Sequence, residues 1–323
     1  MKKLIALLLI TVLAVGALSG CAKKSTAPET AETESPVKVT EVTETETESE
    51  TETETETLAM PEDDTPRQFI VYFSGIDVWG HWSIQSRSDV NILMAVNRDT
   101  GEIQMVNTPR DYYVPMPVSG GARDKLTHAG LYGVENSKGA LEELYGVKVD
   151  YYFRLNFSGF EKIIDSMGGI DVYSEFDFTV DPIKHYTKGM NHLTGLESLA
   201  FVRERKSFNA GDNQRGKNQM AMMTALIEKV SSPEFIKSYP AFMEAIDDFY
   251  ETDIPMELLA SMALERMAGG PEWKIETYAV TGSNGSEVTY SIPGTYVYVM
   301  IPDEAQVAEA GQLLNAVVGR ENE

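Results

Sequence analysis

Apolar residues along this chain recur with two spacings, and the spacing separates strands from helices. Residues 68–75, QFIVYFSG, form a short apolar, β-branched and aromatic run that ends in Ser-Gly, the signature of a buried strand. DVNILMAVN (89–97) reads the same way, and GEIQMVNTP (101–109) alternates. Arg98-Asp99-Thr100-Gly101 is turn chemistry, so these two runs predict a hairpin. ENSKGALEELYG (135–146) has helical spacing and stops at Gly146, and VDYYFRLN (149–156) reads as a strand. FSGFEKIIDSMGG (157–169) reads as a helix closed by glycines, and GIDVYS (169–174) as a strand. LTGLESLAFVR (193–203) starts as a helix, and a long helix is predicted from about Asp212 to Val230. Helical patterns recur at 233–249, 255–268 and 303–318, with strands at 273–281 and 296–301. Strands and helices alternate, which predicts an α/β fold whose sheet is covered on both faces.

The pattern breaks down at the N terminus, where composition and charge decide. MKKLIALLLITVLAVGALSGC opens with Lys2 and Lys3, runs apolar from Leu4 to Leu18 and reaches Ser19-Gly20 before Cys21, the only cysteine. Residues 1–20 have the layout of a secretory signal peptide, and the apolar run is short for a membrane span. Leu18-Ser19-Gly20-Cys21 resembles a bacterial lipoprotein box, in which cleavage precedes the cysteine and the cysteine is acylated. From 21 to 65 the sequence is low in complexity and includes TETETESETETETET. Residues 26–64 hold 14 acidic side chains against one lysine, more than half of the chain's net charge of −23. So few apolar groups cannot offset the entropy of ordering, so 21–65 reads as a lipidated cysteine followed by a disordered acidic linker. Residues 66–323 remain, enough for one large core.

Familiar nucleophile systems are missing from the sequence. His81, His128, His185 and His192 show no metal-ligand spacing, and no G-x-S-x-G elbow, Walker A loop or C-x-x-C pair occurs. Acids and arginines remain. Asp77 follows the first predicted strand and Asp89 opens the second. Two strand-end carboxylates can share a hard cation such as Mg²⁺, or serve only as loop and cap residues. In Thr108-Pro109-Arg110-Asp111, Pro109 breaks the ladder and Arg110 would project from the sheet's end. The densest cluster is FVRERKSFNAGDNQRGKNQ (201–219). An extended Arg203-Glu204-Arg205 would turn Arg203 and Arg205 to one face. Asp212, Arg215 and Gln219, spaced i, i+3, i+7, share a helical stripe. Such an arrangement is either a solvated charge run or a clamp, because arginine's planar fork matches phosphate oxygens two at a time.

FSGID (73–77), SRSDVNILMAVN (86–97), NTPRD (107–111), KLTHAG (125–130) and VDYYFRLNFSGFEKIIDSMGGIDV (149–172) occur in this order, followed by KGMNHLTGLESLAFVRERK (188–206) and DNQRGKNQ (212–219). Together they resemble the LytR-CpsA-Psr family, closely over 68–230, while 231–323 is similar to its more variable C-terminal portion. The resemblance implies a three-layer α/β/α sandwich around a mixed central sheet. It also implies an Mg²⁺-assisted phosphotransferase that moves a cell-wall glycopolymer from an undecaprenyl-pyrophosphate carrier onto peptidoglycan. Carried over by motif, Asp77 and Asp89 become metal ligands. Arg87, Arg110, Arg203, Arg205, Asp212, Arg215 and Gln219 become the pyrophosphate site. Arg110 and Arg205 would stabilise transferring charge, and Asp111 or Asp89 would take the acceptor's proton.

Two features depart from the family pattern. Asn218 stands where a second arginine is usual before the glutamine, with Lys217 beside it as a partial substitute. A lipid at Cys21 replaces the usual transmembrane helix; either anchor places the domain on the outer face of the cytoplasmic membrane. The polyprenyl tail needs an apolar slot, for which Met220, Met222, Met223, Ala225 and Leu226 are candidates if they are not ordinary core. A non-catalytic sensor or chaperone of polyprenyl phosphates and a lipid-pyrophosphate hydrolase are the alternatives. Nucleic acid is not an expected partner.

Overall fold

Period-two alternation divides the strand residues between two cores. In β1 (Gln68–Ile76), Ile70 and Tyr72 pack to one side and Phe69 and Val71 to the other. β2 (Ser88–Asn97) splits Leu93 and Ala95 from Ile92, Met94 and Val96, and β3 (Glu102–Asn107) splits Val106 from Ile103 and Met105. A sheet apolar on both faces needs a helical layer on each.

A computed structural model of the chain describes residues 63–81, 83 and 85–320. The signal peptide (1–20), Cys21 and nearly all of the acidic linker lie outside these residues. After β3 come a short hairpin, β4 (Tyr113–Pro115) and β5 (Arg123–Lys125), and the helices α1 (Leu126–Ala129) and α2 (Val134–Tyr145). β6 (Tyr151–Asn156) leads into α3 (Phe157–Ser166). Two small ribbons follow, made from β7 (Ile170–Ser174), β8 (Phe178–Val180), β9 (Lys184–Tyr186) and β10 (Gly189–Leu193), with β7 paired to β10 and β8 to β9. Next are α4 (Gly195–Arg203), α5 (Asp212–Val230), α6 (Pro233–Ile246), β11 (Tyr250–Thr252), α7 (Met256–Met267) and β12 (Lys274–Ala279). A long ribbon of β13 (Gly282–Thr289) and β14 (Ile292–Pro302) precedes α8 (Glu304–Val317).

The central sheet is mixed and six-stranded, in the order β11-β6-β1-β2-β3-β12. Ala140 and Leu141 of α2 and Ala310 and Leu314 of α8 cover one face. Met220 of α5 and Leu258 of α7 cover the other. A third cluster joins α3, α4, α5 and α6 to the small ribbons. The expected α/β/α sandwich is therefore present. Among the described residues no helix is long and apolar enough to cross a membrane.

The strand directions fix where the chemistry can sit. β1 and β3 both run antiparallel to β2, β6 runs parallel to β1, and β12 runs parallel to β3. The carboxyl ends of four strands and the start of β2 thus share one edge of the sheet, the usual place for a ligand crevice in open α/β sheets. A bulge at Gly75/Ile76 re-aims the end of β1 there. A Cβ on Gly75 would lie 2.9 Å from the Val90 side chain, so the crossing at the bulge has no room for one.

Three expectations change. The strand at Ile170–Ser174 forms but pairs only with β10, outside the central sheet. The strand expected at 296–301 is longer, and its partner β13 carries too little apolar alternation (GSNGSEVT) to be recognised from sequence. Arg203 is helical: a reciprocal Thr194–Glu197 capping box starts α4, and the helix formers behind it carry the turn through Arg203. The chain becomes extended only at Glu204, so Arg203 and Arg205 are not an alternating pair on a strand.

Candidate active site

Each site residue is placed by a different end of the sheet or helix layer. Asp77 leaves β1 just past the bulge, and its N–H donates to the Arg87 carbonyl at 3.0 Å. Arg87 Nη2 returns a bond to Asp77 Oδ2 at 2.7 Å. Asp89, the second residue of β2, accepts from Arg110 Nη1 at 2.6 Å and from the Thr127 hydroxyl at 2.9 Å. Arg110 stands just beyond β3, and Asp111 beside it is held by Lys125 Nζ at 3.0 Å. At the first turn of α5, Arg215 Nη2 lies 2.8 Å from Asp212 Oδ1. One turn on, Gln219 accepts from Asn107 at 3.2 Å and donates to the Val202 carbonyl at 3.4 Å. A Cβ on Gly216 would sit 2.7 Å from Asn107 Oδ1, so a glycine lets α5 approach the end of β3.

Asp77, Arg87, Asp89, Arg110, Arg215 and Gln219 line one cavity of about 370 Å³. Its mouth carries Arg87, Arg110, Arg203, Arg205 and Arg215 against the carboxylates of Asp77 and Asp89. Its interior is walled by Phe73, Ile92, Phe153, Leu155, Phe160 and Met222, among others. The cavity is a cationic mouth in a chain whose net charge is −23.

Carboxylates pair with Arg87, Arg110 and Arg215, whereas Arg203 and Arg205 are left with their charge uncompensated. Arg203 lies over the Phe157 ring at 4.2 Å, and neither it nor Arg205 has a carboxylate partner among the described residues. The Nε groups of Arg110 and Arg215 are buried without an acceptor. Burial pulls the Arg215 pKa down and the charges of Arg110 and Arg205 add to this, while Asp212 and Asp89 oppose it; the net shift is downward. For Arg110 burial acts in the same sense, but Asp89, Asp111 and Asp212 outweigh it and the net shift is upward. The mouth therefore holds closely spaced positive charge, partly desolvated, which an anion with several oxygens would relieve.

The family model described as LytR_cpsA_psr matches residues 33–312. The chain belongs to this family. A relative from Bacillus mycoides, named polyisoprenyl-teichoic acid–peptidoglycan teichoic acid transferase TagU, is 34% identical over 179 residues, covering 55% of this chain and 58% of that protein. The chain thus spans little more than half the length of the curated relatives it matches. The crystal structure of TagV from B. subtilis superposes with a TM-score of 0.67 and 27% identity, over 79% of this chain and 98% of that one. A structure of TagT bound to LI-WTA gives a TM-score of 0.61 and 26% identity, over 78% of this chain and 91% of that one.

Within the LytR_cpsA_psr domain, Asp77, Asp89, Arg87, Arg110, Arg203, Arg205, Arg215 and Gln219 all line the large cavity. Asp212 does not; it lines a second cavity of about 80 Å³, which shares Asp89, Arg110, Arg215 and Gln219 with the first. Asp111 lines neither cavity. Asn218 is buried and turns toward α4, accepting from Gln214 at 3.2 Å and donating to the Phe201 carbonyl at 3.4 Å, so it lines neither cavity either. Lys217 lines the smaller cavity. Of the slot candidates, Met222 and Met223 line the large cavity, whereas Met220, Ala225 and Leu226 belong to the cores. Sequence reasoning missed Asn107 and Thr127, which orient Gln219 and Asp89. Thr127 lay within the KLTHAG motif, but its partner is 38 residues away and nothing local marks the pairing.

Proposed function

We propose that this protein is a phosphotransferase that moves a glycopolymer from an undecaprenyl-pyrophosphate carrier onto peptidoglycan, held by a lipid at Cys21 on the outer face of the cytoplasmic membrane. The observation that carries this reading is the single cavity that joins an apolar interior to a mouth of five arginines. Only a ligand with a long hydrocarbon and a polyanionic head uses both parts. The names of the relatives, teichoic acid transferases acting from polyisoprenyl carriers, support the same class of reaction.

The residues then divide the work. Phe73, Ile92, Phe153, Leu155, Phe160 and Met222 take the prenyl chain. Arg87, Arg110, Arg203, Arg205 and Arg215 bind the pyrophosphate oxygens, and Gln219 and Asp212 fix the position of Arg215 and the floor beside it. The acceptor hydroxyl oxygen bonds to the phosphorus next to the glycan while the bond from that phosphorus to the bridging oxygen breaks. Undecaprenyl phosphate leaves, and the hydroxyl proton passes to a carboxylate. Asp89 is the better placed of the two candidate bases, because it lines both cavities and Asp111 is tied to Lys125 outside them. Phosphoryl transfer asks a protein mainly for positioning and charge neutralisation, which a cluster of fixed guanidinium groups provides.

The donor set fits Mg²⁺. Asp77 and Asp89 line one cavity, and Asp77 Oδ1 is left without a hydrogen bond among the described residues. A site of two carboxylates completed by substrate phosphates and water is what this ion accepts. Asp77 and Asp89 would hold it, and its charge would neutralise phosphate oxygens.

The reading is tested by incubating the protein with a glycan-bearing undecaprenyl pyrophosphate, Mg²⁺ and peptidoglycan oligomers, and measuring release of undecaprenyl phosphate that depends on the oligomers. Release that falls sharply in Arg203→Ala and Arg205→Ala is expected. Equal release by the wild type and both variants would remove the arginine mouth from the chemistry.

A further inference from the structure

The large cavity accounts for the donor, and nothing in it accounts for the acceptor. The phosphoryl group must be attacked from the side opposite its leaving group, since attacking and leaving oxygens lie roughly in line. The leaving group is the lipid phosphate, so the acceptor must approach across the arginines from the apolar slot. The smaller cavity lies there: Asp89, Arg110, Arg215 and Gln219 form the partition, and Asp212, Lys217 and Thr281 line its far side. At about 80 Å³ it admits a hydroxyl-bearing arm but not a whole sugar residue, so the sugar chain must rest outside it.

The β13–β14 ribbon stands beside that opening. Alternation along β14 puts Tyr296 and Tyr298 on one face, opposite Val288 and Ser286 of β13. Tyr296 is 71% exposed and Tyr298 45% exposed. A chain of contacts ties this face to the site: Lys125 Nζ lies 5.6 Å from the centre of the Tyr298 ring, and the same nitrogen is 3.0 Å from Asp111, the neighbour of Arg110. Burial pushes the Tyr298 phenol up, and the charges of Asp111 and Asp212 add to this. Tyr298 is also fixed, since its hydroxyl donates to Asn284 at 3.1 Å. One ring held by its hydroxyl, with a second exposed ring on the same face and Asp111 nearby, suits a sugar chain, whose C–H faces stack on the rings and whose hydroxyls donate to the acid. An exposed aromatic face one ion pair away from the neighbour of Arg110 is placed to serve as an interaction surface.

We infer that Tyr296 and Tyr298 form a stacking platform for the glycan chain of the acceptor, and that the small cavity receives its reacting hydroxyl. The inference rests on the transferase reading, and it makes the ribbon a specificity element for the acceptor alone.

The test is calorimetric titration of the full chain with peptidoglycan-derived glycan oligomers, with no donor present. Tyr296→Ala and Tyr298→Ala are each expected to weaken binding by about two- to tenfold, the range for a lost aromatic stack. Tyr296→Phe keeps the ring and should restore affinity. Tyr173→Ala, which removes another exposed tyrosine, on β7, should change nothing. Tyr296 is exposed enough that its loss should leave the fold intact, which a thermal melt confirms. Unchanged glycan affinity in both alanine variants overturns the platform. So does a rise in donor KM with no rise in acceptor KM, which would give the ribbon to the donor's own glycan. Tyrosine-dependent glycan binding by a protein that transfers nothing would leave the platform standing and sink the transferase reading instead.

Discussion

Arg215→Met separates a functional cluster from a structural one. Arg215 is only 7% exposed, and burial together with Arg110 and Arg205 disfavours its charge more than Asp212 and Asp89 support it. The fold therefore gains little from this guanidinium. The Asp212 oxygen that faces Arg215 is buried with no hydrogen-bond partner, so losing the guanidinium leaves it uncompensated, at a cost of about 1–3 kcal/mol. Methionine keeps most of the stem's packing, so the net loss of stability should stay within about 3 kcal/mol. Turnover should respond on another scale, falling about 10²–10³-fold, or roughly 2.7–4 kcal/mol, as when one donor to transition-state charge is removed. Urea unfolding and release of undecaprenyl phosphate, measured on the same samples, give both numbers. Ligand linkage adds a third: donor at about 100 times its dissociation constant should stabilise the wild type by about 2.7 kcal/mol and the variant by much less. A variant that lost more than about 3 kcal/mol of stability but kept its turnover per folded molecule would refute the reasoning.

Other changes probe separate parts of the account. Asp77→Asn and Asp89→Asn should raise the Mg²⁺ concentration needed for half-maximal turnover at least about tenfold with the fold retained; activity that survives both substitutions and a chelator removes the metal from the reaction. Gly216→Ala should push α5 off the end of β3, because its Cβ would lie 2.7 Å from Asn107 Oδ1; an unchanged affinity for the donor would show that this close approach does not position Arg215 and Gln219. Asp124 is fully buried; burial alone would raise its pKa, but bonds from His128 and Ser291 outweigh this and hold it below the ordinary value. A depressed carboxylate stabilises the fold above its ordinary value of about 3.9 and loses that contribution as pH falls through the folded value. Protection from hydrogen exchange at the ribbon tip, taken relative to the intrinsic rate, should therefore fall below about pH 4 in the wild type, where the Ser291 N–H donates to Asp124 at 2.7 Å, and Asp124→Asn should remove that step. Cys21→Ala should leave an uncleaved precursor or release the protein from membranes; unchanged mass and membrane retention would rule out the lipid anchor.

Much of the fold was legible because the central strands are apolar on both faces and the main helices keep clean spacing. Gln68–Ile76, Ser88–Asn97 and Phe157–Ser166 fall within a residue or a few of the ranges read from the sequence. The ribbon strand Gly282–Thr289 was not legible, because its alternate residues are mostly exposed and pairing with β14 defines it. At the site, residue types and spacing brought out the aspartates and arginines, but not the geometry that unites them. Arg203 and Arg205 reach the same cavity from a helix end and the extended chain after it, not from one strand. Asn107 and Thr127 were invisible because they act by hydrogen bonds to residues far away in sequence. Asn218 drew attention as a missing arginine, yet it faces α4 and bonds to the Phe201 carbonyl, a direction that spacing on one helix could not reveal without the neighbouring one.

The central claim is transfer, and one measurement addresses it most directly. The full chain is incubated with a glycan-bearing undecaprenyl pyrophosphate, Mg²⁺ and peptidoglycan oligomers, and the products are identified by mass spectrometry. The account predicts a glycopolymer joined to the oligomer through a phosphodiester, formed in step with undecaprenyl phosphate and lost in Arg205→Ala. Free glycan phosphate with no joined product would make the protein a hydrolase, and tightly bound but unconverted donor would make it a carrier or sensor; either result would contradict the account.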